Sequence, residues 1–182
     1  FKDSETVVFQ LSEQDILNKI YRVNDPNYVG YAHAFATRKF LKNYEVKEEF
    51  LDIYLKVTSS IKEAFHAVSS IKASSGTVGA FQTRNIPHFG HQKIIEEMLN
   101  FCDHVVINPV IGPKKTGDVS EKILKNIYNF LSQKRFNGYV SFLPIYSNMF
   151  YAGPLEALHH THLRQRLGFD VFSVGRDHAG AQ

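Results

Sequence analysis

From residue 76 onward the chain alternates short apolar runs with segments of helical periodicity, and this alternation limits the fold more than any other feature. Strands are expected near 78–82, 104–108, 139–143 and 170–174, and helices near 91–101, 119–134 and 154–167. In the first helical segment Ile94, Ile95, Met98, Leu99 and Cys102 recur at helical spacing, with Gln92, Lys93, Glu96 and Glu97 between them. In the second, Ile123, Ile127 and Leu131 share a face. Strands joined through helices pair in parallel with right-handed crossovers, so the fold class is α/β with a parallel sheet. Ligands of such sheets gather beyond the carboxyl ends of the strands.

Two segments at such ends carry unusual chemistry. Gln82-Thr83-Arg84-Asn85-Ile86-Pro87-His88-Phe89-Gly90-His91 follows the first strand and leads into a helix, whose first turn offers unpaired N–H groups and partial positive charge. Gly90, without a Cβ, lets the backbone approach a ligand closely, and His88 and His91 flank it as donors to phosphate oxygens. Gly175-Arg176-Asp177-His178-Ala179-Gly180 follows the last strand with the same mixture of glycine, arginine and histidine. Two histidines three residues apart are also what a plain helix start can show. Structural zinc is a poor match, because one cysteine and no third ligand nearby accompany the pair. A Walker-type phosphate loop is absent from the sequence. The combination reads as a nucleoside triphosphate site.

The His-x-Gly-His pattern after a first strand resembles the nucleotidyltransferase superfamily, and more narrowly the chain resembles the ATP sulfurylase, or sulfate adenylyltransferase, family. Gln82 to His91 follows that family's Gln-Thr-Arg-Asn-Pro-x-His-x-x-His except at one point, and Gly175 to Gly180 matches its Gly-Arg-Asp-His-Ala-Gly without change. Asn108-Pro109-Val110-Ile111-Gly112 and Lys115-Thr116-Gly117-Asp118 are similar to its His-Pro-Val-Val-Gly and Lys-Pro-Gly-Asp segments. Met149-Phe150-Tyr151-Ala152-Gly153-Pro154-Leu155-Glu156-Ala157 is similar to its Met-Arg-x-Ala-Gly-Pro-Arg-Glu-Ala segment. The resemblance implies a Rossmann-like nucleotidyltransferase domain in which a sulfate oxygen attacks the α-phosphorus of ATP and pyrophosphate leaves. It also implies the site: Gln82 and Arg84 on sulfate, with Thr83 beside them and Asn85 towards the nucleotide. His88 and His91 would stabilise the transition state and the departing pyrophosphate. Gly175, Arg176, Asp177 and His178, with Gln82 and Asn85, would line the ATP site, Asp177 orienting a neighbour or meeting ribose or metal. The Ala179 backbone would help hold sulfate. Magnesium would enter with ATP, since it prefers phosphate oxygens and water to an all-protein cage.

Three departures keep other readings open. Pro87 stands one place later than the family's proline, so the residue biased towards extended backbone is Ile86 rather than Asn85. Phe150 and Leu155 stand where the family has arginines, with Lys114, Lys115, Arg164 and Arg166 as the cations that could compensate. The family's sequence continues beyond Gly180, so the domain is expected to be truncated at its C-terminus. A nucleotidyltransferase with another acceptor, and a catalytically impaired relative that binds nucleotide or a partner, are the alternatives.

The 182 residues, 43% of them hydrophobic, suffice for one core with a small added lobe. Organisation is expected as a partial N-terminal lobe at 1–44, a shortened PUA-like one, a helical connector at 45–75 and the catalytic domain at 76–182. Asn24-Asp25-Pro26-Asn27 is a turn signal in the lobe. Val46, Phe50, Tyr54, Val57, Ile61, Phe65 and Val68 predict a long amphipathic helix or a bent pair, and Lys72 to Gly76 a linker. His159 and His162 read as structural or surface histidines, whereas His160 and Arg164 match positions in the family's corresponding helix. The net charge of +3, without basic clusters, argues against nucleic acid as a partner. No transmembrane run or secretory signal is read, and the lone Cys102 suits a reducing cytoplasm. Self-association is expected from the family, with the 46–68 helix as its surface.

Overall fold

The computed structural model describes residues 13–15, 18, 19, 25, 48–112, 119–147, 149–176 and 178, with side chains from residue 55 onward in the long first helix. The expected N-terminal lobe, its turn at Asn24 to Asn27, Lys114 to Asp118, Asp177 and Ala179 lie outside those residues, save for a few isolated positions and one helical turn at Glu13–Asp15. Strands β1 (Val78–Phe81), β2 (His104–Ile107), β4 (Val140–Phe142) and β6 (Val171–Ser173) form a parallel sheet in the order β4-β2-β1-β6. Helices α1 (Glu48–Ser75), α2 (Phe89–Met98), α3 (Glu121–Arg135) and α4 (Pro154–Arg166) surround it. The α/β class and the parallel sheet agree with the sequence reading, and each strand lies within its expected window.

Alternation along the strands produces two cores. Val78, Ala80 and Val106 face a cluster with Ala64 and Val68 of α1 and Leu167 and Phe169 behind α4. Phe81, Val105 and Ile107 face Ile95 and Met98 of α2 and Leu124 and Tyr128 of α3. Side chains of a strand point to opposite faces in turn, so a β1 of four buried residues requires helices on both sides. The strand order then dictates where loops meet. The chain steps from β1 to β2 to β4 in one direction and returns through α4 to β6 on the other side of β1. The direction reverses at β1, so the loops leaving β1 and β6 diverge to opposite faces and leave a crevice between them.

Three features differ from the sequence reading. A second parallel pair, β3 (Val110–Ile111) with β5 (Ile145–Tyr146), occupies positions read as loop. It extends β2 and β4 past a break that carries Pro109 on one chain segment and Pro144 on the other. Proline cannot donate to a ladder, yet Ile145 N donates to the Pro109 carbonyl at 2.9 Å, so the pairing resumes beyond the break. Lys72, Ala73, Ser74 and Ser75, expected in a linker, form the last turn of a single unbroken α1. That helix ends at Gly76, whose φ of +102° suits glycine and whose N–H returns to the Lys72 carbonyl. The buried stripe of α1 passes through Ile61, Ala64, Val68 and Ile71, leaving Phe65 exposed.

The end of α1 is clamped to the sheet: Lys72 Nζ meets Asp170 Oδ1 at 2.6 Å and the Gly168 carbonyl at 3.1 Å, while Asp170 Oδ2 accepts Val78 N–H. On the opposite face α2 lies tight on β1. A Cβ built at Gly79 would stand 2.7 Å from Cys102 Sγ and 2.9 Å from Met98 Cε. Overpacking of this kind costs about 1–3 kcal/mol. Gly79→Ala is accordingly expected to lower the unfolding free energy by that amount, read as a lower urea midpoint at unchanged slope, and a variant as stable as the parent would contradict this packing.

Candidate functional site

The crevice predicted by the strand order is lined by the end of β1 and its loop, by α2, and by the segment after β6. Gln82, Thr83, Arg84, Asn85 and His91 come from the first sequence segment, and Gly175 and His178 from the second. Residues ninety positions apart thus share one cleft, with Met149, Phe81 and Ile94 as its apolar wall. Two candidates stand outside the lining: His88 stacks on His91, with ring centroids 3.9 Å apart, and Arg176 is exposed on the turn after β6.

Local chemistry shapes the first loop. Asn85 N–H donates to Thr83 Oγ1 at 3.2 Å, which turns the chain and leaves the Asn85 side chain exposed. The Arg84 guanidinium lies 5.4 Å from the Tyr151 ring centre, a cation over an aromatic face. Gln82 lines the cleft, and its Oε1 is buried without a hydrogen-bond partner among the described residues.

At the start of α2, His88 is the N-cap, and its Nδ1 accepts Gly90 N–H at 3.1 Å. His91 Nδ1 in turn accepts the His88 N–H at 3.3 Å. Both rings therefore use Nδ1 as acceptor and carry the neutral-state proton on Nε2, the outer nitrogen. Burial, and secondarily the charge of His88, keeps His91 below the ordinary imidazole value. The glycine between them has a steric reason besides the one the sequence suggested. A Cβ at Gly90 would stand 2.9 Å from His88 Cε1 and 3.1 Å from Nδ1, so glycine makes room for the capping ring itself.

Behind the cleft, α4 presents a polar buried face. Glu156, His160 and Arg164, four residues apart, are 2%, 1% and 0% exposed, while Leu155 and Leu158 of the same helix face solvent. Arg164 donates from Nε to Asn108 Oδ1 at 2.9 Å and from Nη2 to the Asn108 carbonyl at 2.8 Å. Its guanidinium also lies 5.2 Å from the Phe172 ring centre. Burial pushes it down to about 9, which leaves it charged at neutral pH. Glu156 accepts N–H bonds from Phe150 and Ala152 at 2.8 and 3.0 Å, clasping a turn in which Tyr151 has a φ of 55°. That left-handed conformation is unfavourable for a bulky residue and persists because both neighbours are tied down. His160 Nδ1 lies 3.0 Å from His178 Nε2.

Of the four cations considered as substitutes for the arginines absent at Phe150 and Leu155, Arg164 is committed to Asn108 and Arg166 is exposed on α4. Phe150 and Leu155 themselves are 40% and 36% exposed. Glu156 was not singled out from the sequence. Its signal was the i, i+4, i+8 run of acid, histidine and arginine, which marks one helix face by chemistry rather than by apolarity.

Comparison with known proteins places these features in context. The family model described as ATP-sulfurylase matches residues 58–182. A sulfate adenylyltransferase of Pyrococcus abyssi (strain GE5 / Orsay) is 34% identical over 176 residues, covering 95% of this chain and 46% of the relative. One from Thermococcus onnurineus (strain NA1) is 32% identical over 176 residues with the same coverage. One from Ignicoccus hospitalis (strain KIN4/I / DSM 18386 / JCM 14125) is 42% identical over 171 residues, 89% of this chain and 43% of the relative. The chain spans about half the length of the curated relatives it matches.

Two outcomes are expected from the site's geometry. Gly90→Ala displaces the His88 ring, with loss of about 1 kcal/mol from the cap and a measurable change in the His88 imidazole resonances; unchanged resonances would contradict the clash. Acid should also weaken the fold. His91, His104, His160 and His178 are all lowered in the folded chain, each chiefly by burial. The unfolded chain therefore binds more protons below about pH 6.5, so stability present above that pH is lost as pH falls. Glu156, raised by burial, acts in the opposite sense but is outnumbered. His160, pushed down to about 2, alone contributes a slope of about 1.4 kcal/mol per pH unit. Denaturation at pH 7.5 and 5.5 should show the lower midpoint at 5.5, with a smaller difference in His160→Gln.

Proposed function

We propose, since the chain belongs to the ATP-sulfurylase family, that its cleft carries adenylyl transfer from ATP to sulfate, giving adenosine 5′-phosphosulfate and pyrophosphate. The observation that carries this reading is the convergence of Gln82 to Asn85 and His91 with Gly175 and His178 on one crevice at the reversal of the sheet. In the reaction a sulfate oxygen forms a bond to the α-phosphorus while the bond from that phosphorus to the α–β bridging oxygen breaks. Pyrophosphate leaves with the electron pair, and no bond to the protein forms.

The protein's task is then to hold two anions that repel each other and to stabilise charge as it moves. Arg84 and Gln82 hold sulfate, Arg84 because a guanidinium stays charged and grips oxyanions with two parallel N–H bonds. The Gln82 amide also has an acceptor oxygen in need of a donor, which suits a nucleotide hydroxyl or amine and gives this residue a part in both substrate sites. Thr83 shapes the loop that turns Asn85 towards the nucleotide. His88 and His91 offer Nε2–H groups to the α-phosphoryl oxygens and the leaving pyrophosphate. Gly175, Arg176, Asp177 and His178 line the ATP side, and the Ala179 backbone meets sulfate. The described lining supplies amide, hydroxyl, imidazole and guanidinium groups but no carboxylate, a set that fits magnesium arriving as a complex with ATP, ligated by phosphate oxygens and water.

Residues 76–182 form the catalytic unit in this reading, 45–75 the connector and 1–44 a reduced lobe, in a cytoplasmic enzyme that self-associates. A second reading, transfer to another acceptor, is favoured by Phe150 and Leu155, which put apolar side chains where the resemblance expects cations.

Pyrophosphate release from MgATP measured with sulfate, selenate, molybdate or no added anion separates the two. Sulfate-dependent release is expected, and Arg84→Ala and Arg176→Ala should each lower it by about a hundredfold or more, equivalent to about 3–4 kcal/mol in the barrier. Release that is indifferent to all three anions points to another acceptor, and turnover unchanged in both variants overturns the site.

A further inference from the structure

A hydrogen-bonded chain behind the cleft has no part in the steps described so far. Glu156 uses both carboxylate oxygens as acceptors, Oε1 for Phe150 N–H and Oε2 for Ala152 N–H. His160 Nε2 lies 3.4 Å from Oε1 and, facing an acceptor, carries its proton there. His160 holds that one proton only, because burial, with Arg164, His178 and His159 beside it, pushes it down to about 2. Its Nδ1 is therefore a lone pair, and His178 Nε2, 3.0 Å away, donates to it. The His178 ring lines the cleft, and with Nε2 committed to His160 the ring has one nitrogen left, Nδ1.

We propose that Glu156 and His160 are positioning residues that hold His178 as the Nε2–H tautomer, so that Nδ1 takes up a proton from solvent when a multiply charged oxyanion enters the cleft. The inference rests on reading the cleft as an oxyanion site and does not need the transfer reaction. Among the described residues the charged groups that face His178 are Arg164 from α4 and Arg84 from the loop after β1; burial first, then these two cations, lowers the ring without an anion. From β6 it meets the Phe172 ring, at 5.6 Å between centres, which brings no charge. His160 stays neutral, and His91 across the cleft is lowered as well. An entering polyphosphate supplies the opposite sign and raises His178, whose imidazolium then donates from both nitrogens. By linkage, anion affinity is greatest at low pH and falls by up to tenfold per pH unit between the free and bound His178 values.

Nitrogen-15 NMR of the imidazoles in the full chain, with inorganic pyrophosphate as the probe, tests this directly. At pH 7.5 the free chain should show His178 protonated on Nε2 only, and pyrophosphate should bring the second proton onto Nδ1. His160→Leu removes the acceptor and should give a mixture of His178 tautomers, whereas His160→Gln keeps an acceptor and should restore Nε2–H. A free His178 protonated on Nδ1 alone, one already charged before the anion is added, or signals that pyrophosphate does not move would each overturn the inference. If the tautomer and the proton uptake are found but no adenylyl transfer occurs, the relay stands and the proposed reaction falls.

Discussion

One guanidinium, fully withdrawn from water, organises the functional half of this molecule. Arg164 is 0% exposed, and among the described residues no acidic group forms an ion pair with it. A buried charge without compensation is costly, and removing one of its partners typically costs about 3–5 kcal/mol. Here the compensation is dipolar: the Asn108 side-chain and backbone oxygens accept two of its N–H bonds, and the face of Phe172 lies near its plane. Those contacts join α4 to the break between β2 and β3 and to β6, so the helix carrying His160 and the strand leading to His178 are fixed by the same side chain. Burial first, and then the positive field this leaves behind the cleft, keeps protons off both histidines, and the field makes the same crevice favourable for anions.

A helix with such a duty cannot have the usual distribution of residues. In α4 the buried stripe is Glu156, His160 and Arg164, and the leucines at 155 and 158 are exposed, an inversion of ordinary amphipathic design. The partners that these buried side chains find outside the helix are the 150–152 turn, His178 and Asn108, while Arg164 Nη1 has no hydrogen-bond partner among the described residues. Packing and chemistry are therefore the same interactions here. In α2 and α3 they are largely separate, since Ile95, Met98, Leu124 and Tyr128 bury an apolar face against the sheet while His91 and Ile94 of α2 reach the cleft.

This difference explains what the sequence disclosed. Strands and helices that bury apolar faces announced themselves by period, so β1, β2, β4, β6 and the helices around them were legible, as was the crevice, because alternation of strand and helix implies where loops gather. The β3–β5 pair was not, since two-residue strands interrupted by Pro109 and Pro144 carry too little pattern to separate from a loop. A further requirement for glycine at 90 was not legible, because room for a neighbouring ring is a three-dimensional requirement that no local rule contains. The Glu156–His160–His178 chain was partly visible as a spacing of four, but its last link joins positions eighteen apart in sequence and depends on the path of β6.

The exposed Phe150 follows from the same framework. Position 150 is placed by its own N–H, held by Glu156, and by the left-handed Tyr151 beside it, so its location is set by backbone bonds that do not depend on the side chain it carries. An exchange of cation for aromatic ring at such a position changes the charge presented to a ligand while leaving the turn intact. Arg84, stacked on Tyr151 of that same turn, retains its support whichever residue stands at 150. The path of this turn and the charge carried at position 150 are thus separable properties, because the first is fixed by buried hydrogen bonds and the second by a solvent-facing side chain.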